Sequence, residues 1–149
     1  MKHYMVDTNI INRILDHKLD LKIFNGSDNA FFATHVQRDE IAKTPDKTRR
    51  DELLSIFQEI TKSVSTESAL WGKSNWDECK WAADDLVEKI SEELDKEDKR
   101  KNNPEDALIA DTAIKNNYIL VTEDKPLYKV VNEIFKGSVQ KLEEFLRSS

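Results

Sequence analysis

Asn103-Pro104-Glu105-Asp106-Ala107-Leu108-Ile109-Ala110, followed by Tyr118-Ile119-Leu120-Val121-Thr122-Glu123-Asp124, is the stretch whose reading decides the fold. An asparagine cap, a proline at the first helical position and acids in the first turn make a strong helix start. The body that follows, Ala107 to Ala110 with Ala113 and Ile114, is small and apolar, so the helix is expected to be buried. Asn116-Asn117 breaks it, and Tyr118 to Val121 reads as an interior strand. Pro126 to Phe135 supplies another helix before the Gly137-Ser138 turn, a short final strand at Val139 and a last helix from Lys141 to Leu146.

The same alternation runs through the N-terminal part. Lys2 to Val6 is β-prone and meets Asp7-Thr8-Asn9, three turn or cap residues, before Ile10, Ile11, Ile14 and Leu15 at helical spacing. Ala30 to Thr34 is a second β-prone run after the turn-like Asn25 to Asn29, and it leads into a helical stretch from His35 to Lys43. Residues 46 to 62 and 76 to 97 suit amphipathic helices, with a loop around Gly72, Ser74 and Asn75 between them. Strands alternating with helices predict an α/β fold, a parallel sheet with helices on both faces.

A chain of 149 residues fits one domain with one core. Its 38% hydrophobic and 35% charged residues, with the apolar ones in compact runs, describe a folded protein with a highly charged surface. No apolar stretch approaches the roughly 20 residues that cross a bilayer, and no signal-peptide core precedes the first strand. The expectation is a cytoplasmic protein with no membrane partner. A single cysteine, Cys79, and three scattered histidines provide no thiolate or imidazole metal site, so carboxylates would have to hold any metal. The net charge of −6 opposes nucleic-acid binding, yet two divalent ions would bring −6 + 4 to −2 and reverse the field locally.

In open α/β sheets the ligand site lies beyond the carboxyl ends of the strands, where both Asp7 and Asp124 fall. Helix capping explains either one alone. The helix dipole explains an acid at Asp106, and a solvated helix face explains Glu40 beside Asp39. Taken together they form an oxygen donor set drawn from separate elements, as hard divalent ions in two-metal nuclease sites require.

Met5-Val6-Asp7-Thr8-Asn9, His35-Val36-Gln37-Arg38-Asp39-Glu40-Ile41, Asp106-Ala107-Leu108-Ile109-Ala110 and Leu120-Val121-Thr122-Glu123-Asp124, in that order, resemble the PIN-domain family from residue 3 to about 146. The resemblance implies a three-layer α/β/α sandwich with a mostly parallel, about five-stranded sheet. It implies a single domain over 1–149 with a helical insertion at about 46–101. It further implies an endonuclease, on RNA more than DNA, whose Asp7, Glu40, Asp106 and Asp124 hold Mg2+ or Mn2+. Thr122 and, more weakly, Asn9 would support them. Asp39 stands as the alternative to Glu40, and Asp111 as a supporting residue that joins Asp106 as an inner or outer ligand; at about 100° per residue Asp106 and Asp111 lie roughly 140° apart on a helix and would not share one face, which favours Asp106 at the helix opening. Many small PIN proteins are VapC-type toxins held by an antitoxin, and that resemblance implies a homodimer and a small protein inhibitor, although the helical stretch from 46 to 101 makes this chain somewhat larger than the minimal form.

Other features have ordinary explanations. Trp71, Trp76 and Trp81 step by five residues and form no helical stripe, which favours packing over base stacking. The charged run Asp95 to Asn103, with Lys99, Arg100 and Lys101, reads as solvated. His35 is expected to cap or pack, and Cys79 has no neighbour to activate it. A haloacid-dehalogenase-like phosphatase wants a second aspartate where Asn9 stands, and a receiver domain wants paired early acids. A non-catalytic nucleic-acid or protein-binding module on the same scaffold is the remaining alternative.

Overall fold

The computed structural model describes residues 2–25, 28–63, 88–97 and 103–148. Trp71, Trp76, Trp81 and Cys79, the loop around Gly72, and Lys99, Arg100 and Lys101 lie outside them. The described elements are β1 (His3–Val6), α1 (Thr8–Asp16), α2 (Lys22–Asn25), β2 (Ala30–Ala33), α3 (His35–Ala42), α4 (Lys47–Ile60) and β3 (Lys62–Ser63). After them come α5 (88–97), α6 (Asn103–Lys115), β4 (Ile119–Val121), α7 (Lys125–Ile134), β5 (Val139–Gln140) and α8 (Leu142–Ser148).

The five strands form one parallel sheet in the order β3-β2-β1-β4-β5. β1 is central because it is apolar on both faces: Tyr4 and Val6 point to one side, Met5 to the other, and all three are buried. Val6 sits opposite Val121 of β4, so the ends of these two strands meet.

Each face carries its own core. On one, Tyr4, Phe31 and Val121 pack against Ile10, Ile11 and Ile14 of α1, Leu53 and Phe57 of α4, and Phe145 of α8. Each of the three α1 isoleucines is at most 1% exposed, a burial worth roughly 1.5–3 kcal/mol apiece. On the other face, Met5 and Leu120 pack against Ile90 and Leu94 of α5, the Ala107, Ile109, Ala110 and Ala113 stripe of α6, and Val130 and Val131 of α7. The quoted Asp106-to-Ala113 helix is thus buried through its small residues, as its composition predicts.

Three local readings change. Residues 61 and 62 do not continue the helix expected over 46–62; α4 ends at Ile60, and Lys62–Ser63 forms the fifth strand. Two exposed residues on a sheet edge have no apolar alternation to betray them. His35 does not cap α3. Thr34 does, its hydroxyl accepting from the Val36 amide and forming a capping box with Gln37. The last helix begins at Leu142 and runs on to Ser148. Asn117, at φ 59°, ends α6 in the left-handed conformation, and the Tyr118 amide turns back onto the Ala113 carbonyl to start β4.

Candidate active site

The carboxyl ends of β1 and β4 are joined through one carboxylate. Asp7 leaves β1 with its amide bonded to the Val121 carbonyl, and the residue is 4% exposed. Oδ1 accepts the Thr8 amide at 2.7 Å and so caps α1. Oδ2 accepts the Thr122 hydroxyl at 2.7 Å and the Asn9 amide at 3.3 Å. Thr122 Oγ1 in turn accepts the Asp124 amide at 3.1 Å and a second hydrogen of the Asn9 amide at 3.3 Å. Asn9 closes the ring by accepting the Glu123 amide at 3.1 Å. Capping and site-building are therefore one arrangement, and Thr122 and Asn9 are the groups that fix Asp7.

Asp124 is bound into the same ring through its backbone, while its Oδ1 accepts the Leu127 amide at 3.1 Å and caps α7. Glu40 comes from α3, which packs against both α1 and α6. Asp39 beside it is exposed, whereas Oε1 of Glu40 is buried. Burial raises the Glu40 pKa above the ordinary glutamate value, and the negative charge of Asp7 raises it further; the Thr8 hydroxyl works the other way, and Glu105 adds a smaller upward push. This coupling places Glu40 within electrostatic reach of Asp7 and of the first turn of α6. Asp106, in that same first turn, is 3% exposed. Asp111 is fully buried further along α6.

Neither family models nor curated proteins match this sequence. Solved structures do. VapBC2 from Rickettsia felis, solved bound to a DNA fragment from their promoter, superposes with a TM-score of 0.63 at 21% identity, covering 93% of this chain and 98% of that one. VapBC-5 from Mycobacterium tuberculosis, a member of the VapBC family of toxin-antitoxin systems, gives 0.52 at 15% identity over 95% and 98%. The PIN domain endonuclease Utp24 gives 0.51 at 17% identity over 94% and 84%. The chain has the PIN fold.

Within this PIN fold the donor set suits a hard divalent cation. The side chains offer oxygen only, Glu40 Oε1 is buried with no hydrogen-bond partner among the described residues, and Asp7 opposes the ionisation of Glu40, a repulsion that a cation would relieve. Among the described residues no three His, Cys, Asp or Glu side chains are grouped closely enough to hold a metal ion as they stand. Asp7, Asn9, Thr122 and Asp124 are joined by hydrogen bonds, Glu40 by charge, and Asp106 lies on the helix whose first turn reaches Glu40.

Three groups of the site did not stand out in the sequence. Gln37 is wholly buried, and its amide donates to the Val6 carbonyl at 3.1 Å and approaches Met5 Sδ at 3.2 Å, so it pins α3 to the end of β1. The Thr34-x-x-Gln37 capping box was its legible signal. Thr8, with a buried hydroxyl oxygen, and Glu105 are the other two, both felt by Glu40. Their signal was adjacency to Asp7 and Asp106.

Proposed function

We propose that this chain is a metal-dependent endoribonuclease, the toxin of a toxin-antitoxin pair. Asp7, Glu40, Asp106 and Asp124 would hold Mg2+ or Mn2+, in one domain carrying a helical insertion at about 46–101. The observation that carries the reading is a buried, hydrogen-bonded Asp7 electrostatically coupled to a half-buried Glu40 at the carboxyl edge of a PIN-fold sheet. Fold neighbours that are toxin-antitoxin proteins and an endonuclease support it, and they support an antitoxin protein as partner.

The chain's own contribution is positioning. Thr122 and Asn9 orient Asp7 Oδ2, and the Thr122 hydroxyl also holds the backbone that presents Asp124. Gln37 fixes α3 on β1 and so sets where Glu40 stands. A divalent ion held by Asp7, Glu40, Asp106 and Asp124 would supply an acidified water and a positive charge for phosphodiester hydrolysis. With carboxylates placing the ions, hydrolysis needs no covalent protein intermediate.

The test is cleavage of labelled single-stranded and structured RNAs and DNAs with Mg2+, Mn2+ or EDTA, beside a folded Asp7→Asn/Asp124→Asn protein. Metal-dependent RNA cleavage that the double variant loses is the expected result. Neither cleavage nor metal binding by the wild type would favour a non-catalytic nucleic-acid or protein-binding module on the same scaffold.

A further inference from the structure

A cavity of about 320 Å3 opens at the carboxyl edge of β2 and β3, between α3 and α4, and the acidic site does not use it. Leu54 and Phe57 give its lining an apolar part; His35, Arg38, Gln58 and Ser63 give it a polar one. The volume falls at the small end of ligand pockets, suited to one nucleotide unit and too small for a duplex.

Helix α3 separates this cavity from the acids while serving both. At about 100° per residue Arg38 and Glu40 lie roughly 160° apart, so the helix that turns Glu40 toward Asp7 turns Arg38 toward the cavity. Both sites border the edge of the sheet where the strands end.

Charge identifies the occupant. Arg13 pairs with Glu123, Arg49 with Asp16 and Arg147 with Glu143, and Arg50 donates to the Thr44 carbonyl. Arg38 is exposed and has no such partner among the described residues. In a chain of net charge −6, a guanidinium with no side-chain partner among the described residues, at the rim of a partly apolar cavity, matches a phosphate joined to a planar base.

We propose that this cavity binds one nucleotide of the single-stranded RNA substrate, with Arg38 on its phosphate and the Leu54 and Phe57 surface under its base. The proposal rests on the ribonuclease reading for the identity of the strand. It makes Arg38 a substrate-binding residue that a count of acids does not reveal.

The test uses the full chain and a 5′-labelled single-stranded RNA oligomer. Binding is followed by fluorescence anisotropy in EDTA across a salt series, and cleavage is measured separately in Mg2+ and Mn2+. Arg38→Gln, checked for folding by circular dichroism, should weaken binding about tenfold and reduce the salt slope by about 0.7, the single-strand value for one lost phosphate contact. Arg38→Lys should keep the slope. In Mg2+ the Arg38→Gln protein should show a raised KM and a kcat close to wild type. Wild type that binds RNA with Arg38→Gln unchanged would overturn the subsite and leave the nuclease reading standing. Arg38-dependent binding by a wild type that cleaves with neither metal would support the subsite and remove the nuclease reading. A wild type that binds no RNA, with or without metal, would overturn both.

Discussion

Asp7 and Glu40 are carboxylates at the same edge of the same sheet, yet the protein holds them in opposite ways. Asp7 has both oxygens committed to neighbours, Thr8 on one side and Thr122 with Asn9 on the other. Glu40 is partly buried with one oxygen unpartnered among the described residues, and its charge is disfavoured by burial and by Asp7 itself. The difference teaches that the two acids do different work. Asp7 is a fixed point built into the junction of β1 and β4, and Glu40 is a carboxylate whose charge is disfavoured and would be relieved by a bound cation.

The largest expected effect comes from removing the fixed point. Asp7→Asn should lower metal-dependent RNA cleavage by about a hundredfold or more, measured as kcat/KM under single-turnover control. It should also lower the pKa of Glu40, because the Asp7 charge is the second cause of its elevation; burial remains, so the value should stay above the ordinary one. A carboxyl-selective NMR titration reads this directly, and an unmoved Glu40 would break the coupling on which the comparison depends.

Thr122→Val comes next. It deletes the donor to Asp7 Oδ2 and leaves the Asp124 amide without its acceptor. Denaturant unfolding should show a loss of about 1–3 kcal/mol, with cleavage down about tenfold through a misaligned Asp7. Equal activity would mean that Asn9 alone suffices to orient Asp7.

Glu40→Gln should raise metal-free stability at neutral pH while reducing cleavage. A glutamate whose folded pKa is raised loses its proton in the unfolded chain first, so wild-type stability declines as pH climbs from the unfolded value through the folded one and carries the full penalty above it. Below the unfolded value both forms are protonated and the penalty vanishes. Thermal unfolding across pH should therefore show the glutamine protein ahead of wild type at pH 7 and level with it in acid. The smallest effect belongs to Arg13→Ala, which breaks an ion pair at 3.5 Å with one exposed partner and should change stability by no more than about 1 kcal/mol and leave cleavage intact.

The same contrast explains what could be read before the structure. Asp7 and Asp124 are legible because they lie at or just beyond the carboxyl ends of apolar strands, Thr122 came only with the family resemblance, and β1 and β4 announce themselves by buried, β-branched or aromatic residues. The buried α6 shows in its run of alanines and isoleucine. Asp39 and Glu40 were indistinguishable in sequence, since two adjacent acids on a helix differ only in which one the neighbouring α1 and α6 cover. Gln37 carried a capping signal, but its bond to Val6 spans 31 positions and depends on how α3 docks. β3 was invisible because two exposed residues gain their strand character entirely from pairing with Phe32 and Ala33.

Titration of Mn2+ into the purified protein at pH 7, with free ion followed by electron paramagnetic resonance, tests the central claim most directly when wild type, Asp7→Asn and Glu40→Gln are run side by side. The account predicts saturable binding by wild type that weakens in both variants. Binding of equal affinity and stoichiometry in all three would contradict it, because neither the fixed carboxylate nor the destabilised one would then be holding the ion.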